Sequence, residues 1–254
     1  MLVLSQFILR LSFGLALAMA ATRPRQISSG YYRNNLYVLL GLNALAALVA
    51  WAAPEQGLPI WPPMAAAAAS YLGAAFWLYE KPRPGKLALI AVSVFALCGA
   101  WLLDPPAASQ TAIQRALTWL DPVSGGLLLG TTMAAMLLGH WYLNEPGMPL
   151  GPLWRLLVWM AAALFVRGLV CGLGLVLAVS SGGADSLGSA WRLFVGLRWL
   201  GGIGGTAVLI AMAWQTLKVP NTQSATGILY VAVIATYLGE LTSLLLSGES
   251  AWPL

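Results

Sequence analysis

The sequence predicts an all-α polytopic membrane protein, a bundle of about eight transmembrane helices arranged as four hairpins. Hydrophobic residues make up 59% of the 254 residues and charged residues only 8%, whereas a typical soluble domain contains about 25% charged residues. A helix that crosses a bilayer needs roughly 20 mostly apolar residues, and eight such stretches with short loops use the whole chain. We therefore expect a single transmembrane domain over residues 1–254.

Eight apolar stretches alternate with short loops that are rich in proline, glycine and charge. In chain order, the predicted spans are residues 2–21, 35–53, 64–79, 87–103, 123–143, 153–180, 191–217 and 226–247. Each loop that follows an odd-numbered span contains proline, which ends a helix and stiffens a turn. This pattern favours four hairpins, with the turn prolines at Pro24, Pro82, Pro84, Pro146, Pro149 and Pro220.

Basic residues are distributed unevenly between alternate loops. The loops that follow even-numbered spans hold only Arg115 and Arg192. The loops that follow odd-numbered spans hold most of the others, namely Arg23, Arg25, Arg33, Lys81, Arg83, Lys86, Arg155 and Lys218. Basic loops of membrane proteins face the cytoplasm, so we expect both termini outside it, in a bacterial inner (plasma) membrane. We interpret the net charge of +5 in the same way, as that of a chain whose basic residues orient it in a membrane, and we expect the lipid bilayer as a partner and no nucleic acid.

The first apolar stretch resembles a signal peptide in one respect. Ala18, Met19 and Ala20 form a small-residue pattern like a cleavage site. However, no basic residue precedes the stretch and Arg10 interrupts it. We therefore interpret it as a retained span, with cleavage as the alternative.

The longest outer loop covers residues 104–122. Ile113, Leu117 and Leu120 recur there at helical spacing, with polar residues between them. The spacing predicts a short helix that lies in the membrane interface. Trp119 would anchor this helix at the headgroups.

Four ionisable residues interrupt the apolar spans, namely Arg10, Arg167, Arg198 and Glu240. Such residues usually face the interior of a bundle or a cavity. Counting about 1.5 Å of rise per residue from the predicted helix ends places Arg10, Arg198 and Glu240 at one level, roughly 10–12 Å below the outer surface. Arg167 falls deeper, near the midplane. Because one carboxylate neutralises one arginine, two arginines lack a carboxylate partner within the predicted spans.

The excess of arginine has two interpretations. In the first, Arg10, Arg167, Arg198, Glu240 and Tyr237 form an outer-half site for an anionic ligand, because a guanidinium suits carboxylate or phosphate. In the second, Glu240 pairs with Arg10 or Arg198 and joins helices, and long arginines extend outward to the interface. Both interpretations fit a polar stripe on span eight that recurs at helical spacing, formed by Thr236, Glu240, Ser243 and Ser247.

The only histidine, His140, lies near the cytoplasmic end of span five. His140 and Glu145 are a candidate proton relay, and the alternative is an interfacial histidine hydrogen-bonded to a neighbour. With this one histidine and two separated cysteines, Cys98 and Cys171, the chain lacks a ligand set for zinc or an iron–sulfur cluster. We expect no metal and no cofactor.

Glycines recur at a spacing that lets membrane helices approach closely. Gly126 and Gly130 form one such pair, and Gly168 and Gly172 form another. Residues 201–205 contain four glycines and leave part of span seven without side chains. Helix packing is the first interpretation of these glycines, and a hinge or passage is the alternative.

Three functions are compatible with these features. The first is transport or binding of an anionic or amphiphilic small molecule at the arginine-lined outer-half site. The second is a membrane-anchoring or scaffold subunit of a larger complex, in which partner subunits, a lipid or a quinone of a redox complex would contact the arginines. The third is an intramembrane lipid-modifying enzyme. It is placed last because the chain shows no nucleotide-binding, hydrolase or metalloprotease motif.

Overall fold

A computed structural model describes residues 1–105, 110–145, 147–180, 189–219, 221–250 and 252–254. The described part is helical and contains no strand. Seven of its helices are long and apolar enough to cross a membrane. These helices agree with the prediction of an integral membrane protein built as a helical bundle.

The residues that the structure describes form nine α-helices. Their bounds are α1 Leu2–Ala21, α2 Ser29–Ala52, α3 Trp61–Leu78, α4 Pro82–Leu103, α5 Ala112–Asn144, α6 Gly151–Ser180, α7 Ser189–Gly196, α8 Gly205–Lys218 and α9 Thr222–Glu249. A π-helical segment, Leu197–Gly204, joins α7 to α8, so that the three pieces form one span.

The predicted third span is present as α3, which is a helix of 18 residues. It is not among the seven helices that are long and apolar enough to cross a membrane. The two prolines and the tryptophan of its first turn lower its mean hydropathy. Both members of each predicted hairpin contact each other, as α1 with α2, α3 with α4, α5 with α6, and α8 with α9. The count of eight crossings and the four-hairpin arrangement remain predictions.

Two helices, α1 and α5, lie at the centre of the bundle. Helix α1 contacts α2, α4, α5 and α9, and α5 contacts α4, α6 and α9 as well as α1. Most residues in the apolar stretches of α1 and α5 are buried, whereas fewer than half of those in the other long apolar helices are buried. Polar residues on α1 and α5 are consequently shielded from the lipid.

Helices α1 and α5 cross at a contact between glycine backbones. A β-carbon on Gly14 would overlap the carbonyl oxygen of Gly126, and one on Gly130 would overlap the backbone of Gly14. The predicted packing role of Gly126 and Gly130 therefore holds. Arg10 precedes the crossing by one turn of α1, and Asp121 precedes it by about one turn of α5, so the crossing brings the two side chains together.

Three of the predicted cytoplasmic loops lie together at one end of the bundle. Lys86 Nζ donates to the carbonyl oxygen of Thr22 at 3.4 Å, Ser28 Oγ donates to Glu145 at 3.0 Å, and Arg155 donates to Gln26 at 3.1 Å. The loops after α1, α3 and α5 are thus on one side. Of the predicted turn prolines, Pro146 and Pro220 lie outside the described residues.

Helix α5 differs from the prediction of a separate interfacial helix. It begins at a capping box, in which Thr111 Oγ1 accepts from the backbone of Gln114 and Gln114 accepts from the backbone of Thr111. It then continues through Pro122 to Asn144 without a break. The predicted interfacial residues form its first turns, because a proline removes one hydrogen bond without always ending a helix.

Candidate functional site

Arg167 lies at the centre of a buried network of ion pairs that joins α1, α5, α6, α9 and the π-helical segment. Its Nε donates to Glu240 Oε1 at 3.1 Å, and its Nη2 donates to Glu240 Oε2 at 2.9 Å. This two-point geometry is the strongest form of an arginine–carboxylate pair. Ser243 Oγ accepts a further bond from Nη2 at 3.0 Å.

The remaining guanidinium nitrogen of Arg167 faces α5. Nη1 donates to Asp121 Oδ1 at 2.6 Å and to Ser124 Oγ at 3.1 Å. All five N–H donors of Arg167 therefore have acceptors within the protein. An arginine in this state holds α5, α6 and α9 together and has no free donor for a ligand.

Asp121 also binds the arginine of α1. Arg10 Nη2 lies 2.5 Å from Asp121 Oδ2, and Arg10 Nε donates to Gln6 Oε1 at 3.1 Å. Gln6 lies one turn before Arg10 and donates to the carbonyl oxygen of Ala100 on α4 at 2.9 Å. The third guanidinium nitrogen, Arg10 Nη1, is buried and has no hydrogen-bond partner among the described residues.

Arg198 approaches the network from the π-helical segment. Its Nη2 lies 2.8 Å from Glu240 Oε1 and donates to Cys171 Sγ at 3.4 Å. Nε and Nη1 of Arg198 are buried without a partner in the described part of the chain. π-Helical turns are frequently found at functional sites, and here the segment places the guanidinium of Arg198 against Cys171 of α6 and Glu240 of α9.

The network carries more positive than negative charge. Arg10, Arg167 and Arg198 face two carboxylates, those of Asp121 and Glu240, and each of these five residues is 7% exposed or less. Three positive charges and two negative charges leave one positive charge inside the bundle. A buried charge of this kind needs a compensating partner.

Asp121 was missed by the sequence analysis, which placed it in the outer loop and concluded that two arginines lack carboxylates. The structure corrects this conclusion, since Asp121 pairs with both Arg10 and Arg167. The omission has a physical cause, because a residue before proline disfavours the helical conformation and Pro122 follows. One signal was present, in that Leu117, Asp121 and Ser124 share one face at helical spacing.

Glu240 has two arginine partners rather than the single one expected. It pairs with Arg198, as anticipated, and with Arg167, whereas Arg10 pairs with Asp121 instead. The predicted helix ends place Arg167 deeper than Glu240, and the long side chain of Arg167 nevertheless reaches Glu240 directly.

Gly125 on α5 makes room for the network. A β-carbon there would lie 2.7 Å from Glu240 Oε2 and 3.3 Å from Arg167 Cζ. The sequence gives no signal for Gly125, because no other glycine lies four residues from it and it lies outside the glycine cluster at residues 201–205. The spacing Asp121, Ser124 and Gly125 places all three on the face of α5 that meets α6 and α9.

A cavity of about 280 Å³ lies next to the Arg10 end of the network. Gln6 and Arg10 of α1, Asp121 of α5 and Ser247 of α9 line it, and Asp104, which ends α4, lies at its exposed rim. Burial and the neighbouring Asp121 carboxylate raise the pKa of Asp104, and Arg10 opposes this shift. The cavity therefore contains charged groups of both signs.

Tyr237, the fifth predicted ligand residue, lies on α9 beside α1. Its ring packs edge-on against Phe7, with 5.1 Å between the ring centroids. Its hydroxyl group is buried and has no partner among the described residues. Of the polar stripe on α9, Glu240 and Ser243 contact Arg167, and Thr236 shares a hydrogen bond with Thr206 of α8.

His140 and Glu145 lie in different surroundings. His140 is exposed, and its Nδ1 shares a hydrogen bond of 3.1 Å with the hydroxyl group of Tyr230 on α9. Glu145 accepts from Ser28, which in turn accepts from Trp141 Nε1 at 2.9 Å. No bond between His140 and Glu145 occurs in the described structure, so their joint proton relay remains a prediction.

The other predicted glycine sites differ in packing. Gly202 of the π-helical segment faces Gly239 of α9, and a β-carbon on Gly202 would lie 2.7 Å from the Gly239 Cα atom. Gly172 faces Trp199, whereas Gly168 faces open space. Close packing therefore accounts for Gly202, and Gly168 takes no part in it.

Within the described ranges, no group of three His, Cys, Asp or Glu side chains is placed to hold a metal ion. Comparisons of the chain with protein-family models, with curated proteins and with solved structures found no match.

Proposed function

We propose that the chain is a membrane protein that binds, and transports, an anionic or amphiphilic small molecule, with Arg10 as the contact for the negative group. The observation that carries this proposal is Arg10, which lines the cavity and whose buried Nη1 has no partner in the described part of the chain. A guanidinium with a free nitrogen suits a carboxylate or phosphate oxygen.

Energetics support a ligand at this position. A buried donor without an acceptor costs about 1–3 kcal/mol, and a ligand oxygen would remove this cost at Arg10. The surplus positive charge of the network favours an anion for the same reason. A cavity of about 280 Å³ is near the lower limit of small-molecule sites, which is about 300 Å³, so only a head group or a small molecule fits.

The other predicted site residues take different roles in this proposal. Arg167 and Glu240 hold the helices in position and carry no ligand contact of their own. Arg198 offers two further free donors beside Glu240, and Tyr237 offers a free hydroxyl group. The π-helical segment, which packs on α9 through Gly202, is the element we expect to move during transport.

Membrane orientation follows from the basic loops. We propose eight crossings, with the basic loops in the cytoplasm and both termini outside it, in a bacterial inner membrane. The cavity at Arg10 and Asp104 then opens to the outside. Lipid and solutes from that side reach the cavity without passing the arginine network.

A second function, that of a membrane subunit of a larger complex, is favoured by Arg167. This arginine is fully buried, and protein groups satisfy all its donors, as expected of a helix-joining residue. In that case the free donors of Arg198 and Arg10 would contact a partner subunit, a lipid or a quinone.

The first experiment is a binding titration with dodecyl phosphate, an anionic amphiphile, on the purified chain in lipid nanodiscs. We expect saturable binding, and we expect Arg10→Gln to weaken it by about tenfold, as for loss of one charge-assisted contact. Arg115→Gln is the matched control, because Arg115 is an exposed arginine at the start of α5. Equal binding by both variants and the unchanged chain would exclude the proposed site.

A second pair of variants tests the cavity without altering any charge. Gly248 lines the cavity, and a β-carbon there meets open space, so Gly248→Trp should fold and fill the cavity. Gly227→Trp is its control on the same helix, since Gly227 also faces open space. Loss of dodecyl phosphate binding in Gly248→Trp alone supports the proposal, and retained binding contradicts it.

A further inference from the structure

The cavity beside Arg10 contains a second charged group that the ion-pair network does not use. Asp104 ends α4 at the exposed rim of the cavity. It forms no ion pair or hydrogen bond with the rest of the described chain, whereas Asp121, the other carboxylate of the cavity, is paired with Arg10 and Arg167. Asp104 is therefore an unpaired acceptor at the rim of the cavity, and Arg10, which also lines the cavity, has the buried and unpartnered Nη1.

A simple anion does not match this arrangement. Its negative group would share the cavity with the carboxylate of Asp104, and like charges repel. A ligand with a positive group beside its negative group would instead meet an opposite charge at each position. The exposed rim also leaves the Asp104 carboxylate accessible to a hydrated ammonium group.

We propose that the ligand is a zwitterion, in which a phosphate or carboxylate contacts Arg10 and an ammonium group contacts Asp104. This inference rests on the proposed function and specifies the chemical class of its ligand. Leu2, Val3 and Leu244 add an apolar wall to the cavity, which suits the alkyl part of an amphiphile. The shared chemistry is that of an aminoalkyl phosphate, either as a lipid headgroup or as a free molecule.

The test compares two lipids of equal chain length that differ in charge. Binding of lysophosphatidylethanolamine, a zwitterion, and of lysophosphatidylglycerol, an anion, is measured by native mass spectrometry of the full chain. We expect the unchanged chain to bind the zwitterion about tenfold more tightly. Asp104→Asn should remove this preference by weakening zwitterion binding alone. Glu55→Gln is the matched control, because Glu55 is an exposed carboxylate in the loop after α2.

The outcomes separate this inference from the proposed function. If Arg10→Gln and Gly248→Trp leave both lipids bound as before, the site itself is wrong. If these two variants weaken both lipids while Asp104→Asn behaves like Glu55→Gln, the anion site stands and the zwitterion is excluded. A preference that disappears only in Asp104→Asn supports the inference.

A competition experiment distinguishes the two sources of the ligand. Free glycerophosphoethanolamine, which has the same phosphodiester and ammonium groups without the fatty-acyl chain, is added to the complex with lysophosphatidylethanolamine. Displacement that requires Asp104 supports a soluble zwitterion, and failure to displace supports a lipid headgroup held partly by its chain. Displacement that Asp104→Asn does not alter would contradict the contact between ammonium and Asp104.

Discussion

Arg167 and Glu240 meet in a two-point ion pair, with Nε to Oε1 at 3.1 Å and Nη2 to Oε2 at 2.9 Å, although they lie 73 residues apart in the sequence. Both side chains are fully buried. The pair joins α6 to α9, and the second contact of Glu240 adds Arg198. One carboxylate thus fixes three helical elements relative to one another.

Replacing Glu240 with alanine should destabilise the bundle strongly. The change leaves the charges of Arg167 and Arg198 without their shared carboxylate, and removal of one partner of a buried pair costs about 3–5 kcal/mol. Thermal unfolding in detergent measures the effect, with Glu55→Ala as the control at an exposed carboxylate. Equal unfolding temperatures for the two variants would contradict the pairing.

Replacing Arg167 with alanine distinguishes a helix-joining role from a ligand-binding role. Because all five donors of Arg167 have protein acceptors, we expect loss of folded protein, as judged by size-exclusion chromatography and thermal unfolding. In this variant Asp121 would still pair with Arg10, and Glu240 would pair only with Arg198. A variant that folds normally and loses only ligand binding would assign Arg167 to the ligand site instead.

The glycine crossing gives a prediction that is independent of charge. Gly14→Ala should push α1 away from α5, because its β-carbon would overlap the carbonyl oxygen of Gly126, and overpacking of this kind typically costs about 1–3 kcal/mol. Gly168→Ala, at a glycine that faces open space, should leave the unfolding temperature nearly unchanged. Similar stability of both variants would mean that the close crossing is not needed.

Zwitterion binding should weaken as the pH falls. The pKa of Asp104 is raised by burial and by Asp121, with Arg10 opposing, so protonation removes the carboxylate at a higher pH than for an ordinary aspartate. We therefore expect the Kd for lysophosphatidylethanolamine to rise as the pH is lowered into the acid range, and to begin rising at a higher pH than for a site with an ordinary aspartate. The Kd of the Asp104→Asn variant should not depend on pH in this way. The same pH dependence in this variant as in the unchanged chain would contradict the role of Asp104.

The same shift has the opposite sign for stability of the free protein. A carboxyl group whose pKa is raised in the folded state binds its proton more tightly there than in the unfolded state. The contribution of Asp104 to folding therefore becomes more favourable as the pH falls, while ligand binding becomes weaker. Comparing thermal unfolding with and without ligand at each pH separates the two effects.

The helices and the packing glycines were predictable because both leave local signals. Runs of about 20 apolar residues define most of the spans, and the pair Gly126 and Gly130 indicates a close crossing. The buried ionisable residues Arg10, Arg167, Arg198 and Glu240 were also identified, since charge within an apolar run is conspicuous. These signals need no knowledge of which helices are neighbours.

The pairing of the charges depends on tertiary structure and was only partly predictable. Asp121 lies next to Pro122, which favours a loop on local grounds, yet both residues are buried within an unbroken α5, where Asp121 pairs with Arg10 and Arg167. Gly125 has no partner glycine four residues away, so its role becomes visible only once Glu240 and Arg167 are seen beside it. At Asp121, tertiary packing therefore outweighed the local preference for a loop. At Gly125, only the packed neighbours reveal why a glycine is needed.

The network also constrains the order of events during synthesis. Arg10 enters the membrane with the first helix, but its carboxylate partner Asp121 comes 111 residues later, or roughly 5–20 s at ordinary elongation rates. Glu240 lies on α9, so Arg198 gains its carboxylate, and Arg167 its second carboxylate besides Asp121, only when α9 inserts. Until then the nascent chain holds uncompensated cations that only water, headgroups or the insertion machinery can solvate. A chain that stalls before α9 would retain these cations. It would then be exposed to the cell's proteases as an incompletely assembled membrane protein.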